Sequence, residues 1–264
     1  MALATPISWT MLVFPVCLGF FAAAHPTLAD PPSAETEFAA YAKQNFQAEQ
    51  ARYRNAPGEA AAAWNFARAC FDLAGVATNK TERASLAEQG IAAAQQALAR
   101  ESNSAPAYYY LGMNLGQLAK TRGLSALRLV NQMQRAFIRA HDLEEQIDWA
   151  GPDRNLGLLY RDAPAIASVG SRSQAREHLK RAVELAPRYP DNRLNLIETY
   201  LNWGETNSAQ RELTAVAAVW PSARTNFVGE AWAASWADWE SRLKKLKKRI
   251  EAPPKALGTP RNQP

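Results

Sequence analysis

Small and apolar residues recur along this chain at helical spacing, and one stretch writes the same pattern twice. Ala175, Leu179, Ala182 and Pro187 return as Ala209, Leu213, Val216 and Pro221, each 34 residues on. Four-then-three spacing puts the first three on one face of a helix, and the proline is expected to stop that helix. A fixed step of this length marks helical hairpins that stack, each burying its apolar face on its neighbours. A first helix over Ser33 to about Arg54 precedes them, broken by Asn55-Ala56-Pro57-Gly58. The first hairpin then opens near Gly58 with Trp64, Ala67, Arg68 and Phe71, and Gly90 to Leu98 supplies the small-residue face of its second helix. Tyr108, Leu111, Gly112 and Leu115 mark the next hairpin, completed by Met133, Phe137 and Ala140 after an insertion over roughly Arg122 to Val130. A third runs from Pro152 through Gly157 and Tyr160, interrupted over Ala163 to Ser171, and a fourth uses Leu196, Ile197 and Tyr200.

After Pro221, the residues Trp232, Trp236, Trp239, Leu243, Leu246 and Ile250 form a continuous apolar stripe. A stacked array leaves its last groove open, so this helix is expected to close it. Lys244, Lys245, Lys247, Lys248 and Arg249 beside the stripe also suit a helix that meets a partner or a membrane surface, and self-association stays open. The predicted fold is all-α and resembles a tetratricopeptide (TPR) array: about four antiparallel hairpins with an N-terminal helix and a long C-terminal capping helix. The expected divisions are 1–29, 30–227 for the array, 228–252 for the capping helix and 253–264 for a disordered tail.

Residues 1–29 carry no Lys, Arg, Asp or Glu, and Trp9 to Ala24 is mostly apolar. That composition reads as a signal peptide cut near Ala29, and hence a periplasmic or secreted protein. The alternative is a membrane anchor over residues 7–24, which Pro15 and Gly19 weaken. Cleavage would leave Cys70 alone, set between core positions of a helix, where a buried inert thiol is expected. The net charge of +5 is local: from residue 241 onward eight Lys or Arg face one acid, Glu251, leaving residues 30–240 near neutrality. A basic tail of this kind gives no reason to expect nucleic acid binding.

Catalysis needs a constellation, and none is written here. His141 and His178 have no cysteine or second histidine at ligand spacing, so neither a metal site nor a cofactor is expected and the protein is read as no enzyme. His141 is expected to be solvated or to cap a helix, and His178 to lie on a charged outer face. Val169-Gly170-Ser171-Arg172-Ser173 lacks the preceding strand of a phosphate loop and reads as a loop feeding an N-cap. In a hairpin array the first helices line the concave side. Alignment on Gly112, Gly157 and Ile197 turns Tyr109, Met113, Gln117, Arg154, Arg161, Asp162, Glu198 and Asn202 toward it. Aromatic, guanidinium and amide groups together suit a protein or peptide partner. A carrier of a small hydrophobic ligand, roofed by the two apolar insertions, is the alternative.

Tyr109-Tyr110-Leu111-Gly112-Met113-Asn114-Leu115-Gly116 and Ala150-Gly151-Pro152-Asp153-Arg154-Asn155-Leu156-Gly157-Leu158-Leu159-Tyr160, followed by Ala163-Pro164, resemble the TatT-type periplasmic component of TRAP transporters. The likeness extends over roughly residues 35 to 220. It implies an all-helical periplasmic scaffold that meets the transporter's solute-binding protein. The chain departs from that group in lacking a lipobox before Cys17 and in its tryptophan-rich basic C-terminal helix.

Overall fold

A computed structural model describes residues 34–123, 126–165, 168–229 and 232–251. The signal peptide, the anchor over 7–24, Cys17 and the 253–264 tail lie outside the described residues. Those described form ten α-helices: α1 (Ala34–Asn55), α2 (Ala60–Val76), α3 (Lys80–Arg100), α4 (Ala105–Ala119), α5 (Ala126–Leu143), α6 (Ile147–Asp162), α7 (Arg172–Leu185), α8 (Pro190–Asn202), α9 (Thr206–Asn226) and α10 (Ala233–Glu251). The pairs α2/α3, α4/α5, α6/α7 and α8/α9 make four hairpins, and α1 covers α2. This is the predicted all-α, TPR-like array. Consecutive first helices touch one another, α2 with α4, α4 with α6 and α6 with α8. Each second helix packs instead on the first helix of the next hairpin, so the first helices make the inner layer.

Close approach inside the hairpins depends on glycine. A Cβ on Gly112 would lie 2.6 Å from the Phe137 ring, and one on Gly157 would lie 2.6 Å from the Leu179 side chain and 3.0 Å from its backbone nitrogen. Two helix starts carry side-chain caps. Asn79 Oδ1 accepts from Glu82 N–H at 2.8 Å, and Ser171 Oγ accepts from Gln174 N–H at 3.3 Å, so the Val169–Ser173 loop feeds an N-cap.

Three local expectations change. Pro221 does not stop its helix: α9 runs on to Asn226. The backbone bond lost at proline is offset by packing, since Trp220 and Ala223 on either side join the core that α10 shares. The insertion over 122–130 is not all loop either, because Ala126–Val130 begins α5, with Leu127 exposed. Finally, α6 opens on a turn: Asp148, Trp149 and Ala150 have φ of 51°, 53° and 62°, left-handed values that cost a non-glycine residue about 1–2 kcal/mol each. Helical geometry resumes beyond Ala150, where Pro152 sits in the first turn and lacks only an N–H that would have no partner there.

Two cores result. One joins α2 to α7 through Phe66, Tyr109, Met113, Phe137, Leu156 and Tyr160. The other joins α6 to α10 through Leu179, Leu194, Ile197, Val216, Trp232 and Trp239. The tryptophan stripe docks there, with Trp232, Trp236, Trp239 and Leu246 buried and Leu243 and Ile250 half-buried. Trp232 meets Trp149 edge-on at 5.1 Å and Phe227 at 4.8 Å, and Trp236 Nε1 donates to the Phe227 carbonyl at 2.7 Å. From this seat α10, about 28 Å long at 1.5 Å per residue, contacts α8, α9 and also α1. The last helix thus reaches the first.

Candidate functional site on the inner face

Four of the eight residues expected to face a partner are interior. Tyr109, Met113, Gln117 and Arg154 are all buried, and only the other four stay at the rim. That corrects the expectation of an open concave face, and the cause is chemical. The left-handed turn folds over the inner face between α4 and α8, and buried polar groups hold it there. The Tyr109 hydroxyl donates to Asp148 at 2.6 Å. The Arg154 guanidinium donates to the same carboxylate at 2.6 Å and to the carbonyls of Asp148 and Trp149 at 3.2 Å. Asn192 of α8 accepts from Arg154 at 3.1 Å and donates to the Trp149 carbonyl at 3.0 Å. The turn's strain is therefore offset by three side chains from three helices, received in part by the turn's own Asp148.

From Arg154 the network continues into α10. Asp191 stands between two guanidiniums, 3.5 Å from Arg154 and 2.5 Å from Arg242. Arg242 forks onto Glu198 at 2.8 and 3.1 Å, donates to Asn195 at 2.8 Å and reaches Asp238 at 3.3 Å. Charges alternate along the inner face as Asp148, Arg154, Asp191, Arg242 and Glu198. Burial works against the charge of both arginines, but the acids and tyrosines around them more than offset it, so both guanidinium pKa values lie above the ordinary one. The phenols of Tyr109 and Tyr189 are pushed well up by burial and stay neutral, and the Tyr109 hydroxyl serves as a donor.

At the rim, Arg161 pairs with exposed Asp162 at 2.6 Å and donates to Thr199 at 3.2 Å. Half-buried Glu198 is engaged by Arg242, and exposed Asn202 accepts from Arg249 at 3.2 Å. On the outer side, both histidines depart from expectation. Nδ1 of His141 and of His178 lie 2.9 and 2.7 Å from the two oxygens of fully buried Asp153, tying α5 and α7 to α6. Cys70 is buried as expected, and burial pushes its thiol up.

Asp72 of α2 has a carboxyl driven strongly upward, to about 7, by burial that Arg68 only partly offsets. The folded protein then keeps a proton that an unfolded aspartate of pKa 3.8 gives up. Stability from this residue is therefore present below about pH 4 and is lost as pH rises to about 7. Asp72→Asn removes the titration. The wild type's stability relative to that variant is expected to fall by on the order of 1 kcal/mol per pH unit across this window. Urea unfolding at several pH values reads it, and a pH-independent difference would mean that Asp72 is ionised throughout.

Asp148, Asp191, Asn192, Asn195 and Arg242 were not singled out by sequence reasoning. A signal existed: α8 carries Asp191, Asn192, Asn195, Glu198 and Thr199 within 13 residues, too many polar groups for a helix packed on both sides unless they bind one another.

With the geometry in place, comparison with known proteins is informative about fold. Residues 33–144, less than half of the chain, match the model of the family described as RMD1-3, regulator of microtubule dynamics protein 1-3. The crystal structure of TTC0263, a thermophilic TPR protein of Thermus thermophilus, superposes with a TM-score of 0.56 at 16% identity, covering 82% of this chain and 100% of that one. The fold is TPR-like. No curated protein matches the chain.

Proposed function

We propose that this chain is a non-catalytic scaffold that holds a protein partner at the concave side of its array. The observation that carries the reading is α10. The inner layer already grips a polypeptide helix by its side chains, reading one guanidinium through Asp191, Asn195 and Glu198 and another, on Arg249, through Asn202. A surface with this chemistry suits a segment of another protein, because arginine forks on carboxylates are directional and specific. Arg161, Asp162, Glu198 and Asn202 form the accessible edge beside α10. The family matched over 33–144 is named for regulation of microtubule dynamics, a name that also points to a protein target.

The uncharged apolar start of the chain supports a periplasmic or secreted location. The likeness of residues 105–162 to TatT-type components supports a TRAP-type solute-binding protein as the partner. The carrier reading has less behind it: Leu129, Val130 and Val169, from the two insertions, pack onto the first core.

Cross-linking capture from the native cell envelope tests this, comparing wild type with an Asp162→Lys, Asn202→Arg variant of unchanged helical circular dichroism. Substitutions of Tyr109 or Arg154 are unsuitable, since their burial ties them to stability. A protein enriched by wild type and lost by the variant supports the scaffold, and a solute-binding protein among those lost supports the transport role. Identical captures, or none, would reject it.

A further inference from the structure

We propose that the outward face of α10 binds the anionic surface of a lipid bilayer by charge alone, without inserting. Lys244, Lys245, Lys247, Lys248 and Arg249 are all exposed. At 3.6 residues per turn they sweep about 200° of the helix, opposite the side where Arg242 and Leu246 are buried and Leu243 and Ile250 half-buried. None of the four lysines is in an ion pair among the described residues. No acid interrupts the run between Arg242 and Ile250. The face is a solvated block of positive charge on a helix whose other side is fixed.

The choice of cation favours a bilayer over an acidic protein. The block is built from lysine, a compact point charge, whereas a shaped carboxylate site favours the planar fork of arginine; the chain uses that fork at Arg154 and Arg242, where it reads protein groups. Insertion is a different matter. An interfacial helix buries its apolar stripe in the acyl boundary, but here Trp232, Trp236, Trp239 and Leu246 are already spent on the array.

The test is vesicle co-sedimentation of the full chain, on phosphatidylcholine alone and with about 30 mol% phosphatidylglycerol, where each lysine is expected to contribute about fivefold to partitioning. Any apolar contribution is common to both vesicles, so their ratio isolates the charge effect. Wild type should favour anionic vesicles by roughly 600-fold, and about 0.5 M salt should abolish the preference. Lys244→Gln, Lys245→Gln, Lys247→Gln and Lys248→Gln together should bring the ratio close to one, and the four Lys→Arg changes should keep it. A ratio that survives in the Gln variant, equal binding of wild type to both vesicles, or binding indifferent to salt overturns the proposal. So does polyglutamate that strips the protein from anionic vesicles at matched charge, an outcome that assigns the face to an acidic protein. If the Gln variant loses its helical circular dichroism, the salt response of wild type decides.

Discussion

Arg242→Ala is expected to destabilise the protein by about 3–5 kcal/mol, because it strands charges rather than merely removing a contact. Among the described residues its guanidinium is the one cation paired with half-buried Glu198 and one of two at buried Asp191. Deleting it leaves them facing Asp238 on a helix that has lost its polar anchor. At roughly 2–4 °C per kcal/mol for a domain of this size, the melting temperature should fall by roughly 6–20 °C. Arg242→Lys should recover part of the loss, since one ammonium replaces the charge but cannot fork onto Glu198 while also serving Asp191 and Asn195. Thermal unfolding followed by circular dichroism measures both, and a loss below about 1 kcal/mol for Arg242→Ala would show that water reaches these acids.

The second large effect is expected at Arg154. Arg154→Ala removes the donor to the Asp148 carboxylate and to two carbonyls of the left-handed turn, and it also leaves Asp191 with a single cation. A loss of about 3–5 kcal/mol is expected, as for any buried ion pair broken from one side. The two arginines meet on Asp191, so their effects should not add. The double variant should be less stable than the sum of single losses predicts by about 0.5–3 kcal/mol, because it alone strips Asp191 of both cations. Strict additivity in denaturant unfolding would mean that Asp191 does not couple them.

The fold was legible in the sequence because it depends on local rules. Spacing of small and apolar residues located the hairpins, and Gly112 and Gly157 stood where close approach requires them. The tryptophan stripe announced a helix that must be covered. The site was less legible, for a physical reason. Facing the inner layer is a matter of helix phase, which spacing encodes, and Tyr109 and Arg154 do face it. Whether that layer meets solvent depends on what crosses it, and the crossing elements are a turn at 148–150 and a helix begun some 40 residues past α8's first turn. No periodicity encodes either. Aspartate visits left-handed backbone occasionally, but Trp149 and Ala150 are not residue types that signal it, so the polar partners around them account for the run of three. Pro221 misled for a related reason: packing against α10 outweighed its local preference.

The contact between α1 and α10 changes what kind of object the array is. An open solenoid behaves as a row of nearest neighbours, and its end repeats can fray or be trimmed with only local loss. Here the final helix touches the opening one, so the row becomes a loop with no free end among the described helices. Opening at either terminus then exposes surface at both. Such a chain should unfold as a unit rather than peel, with amide exchange in α1 and α10 tracking that of the interior hairpins.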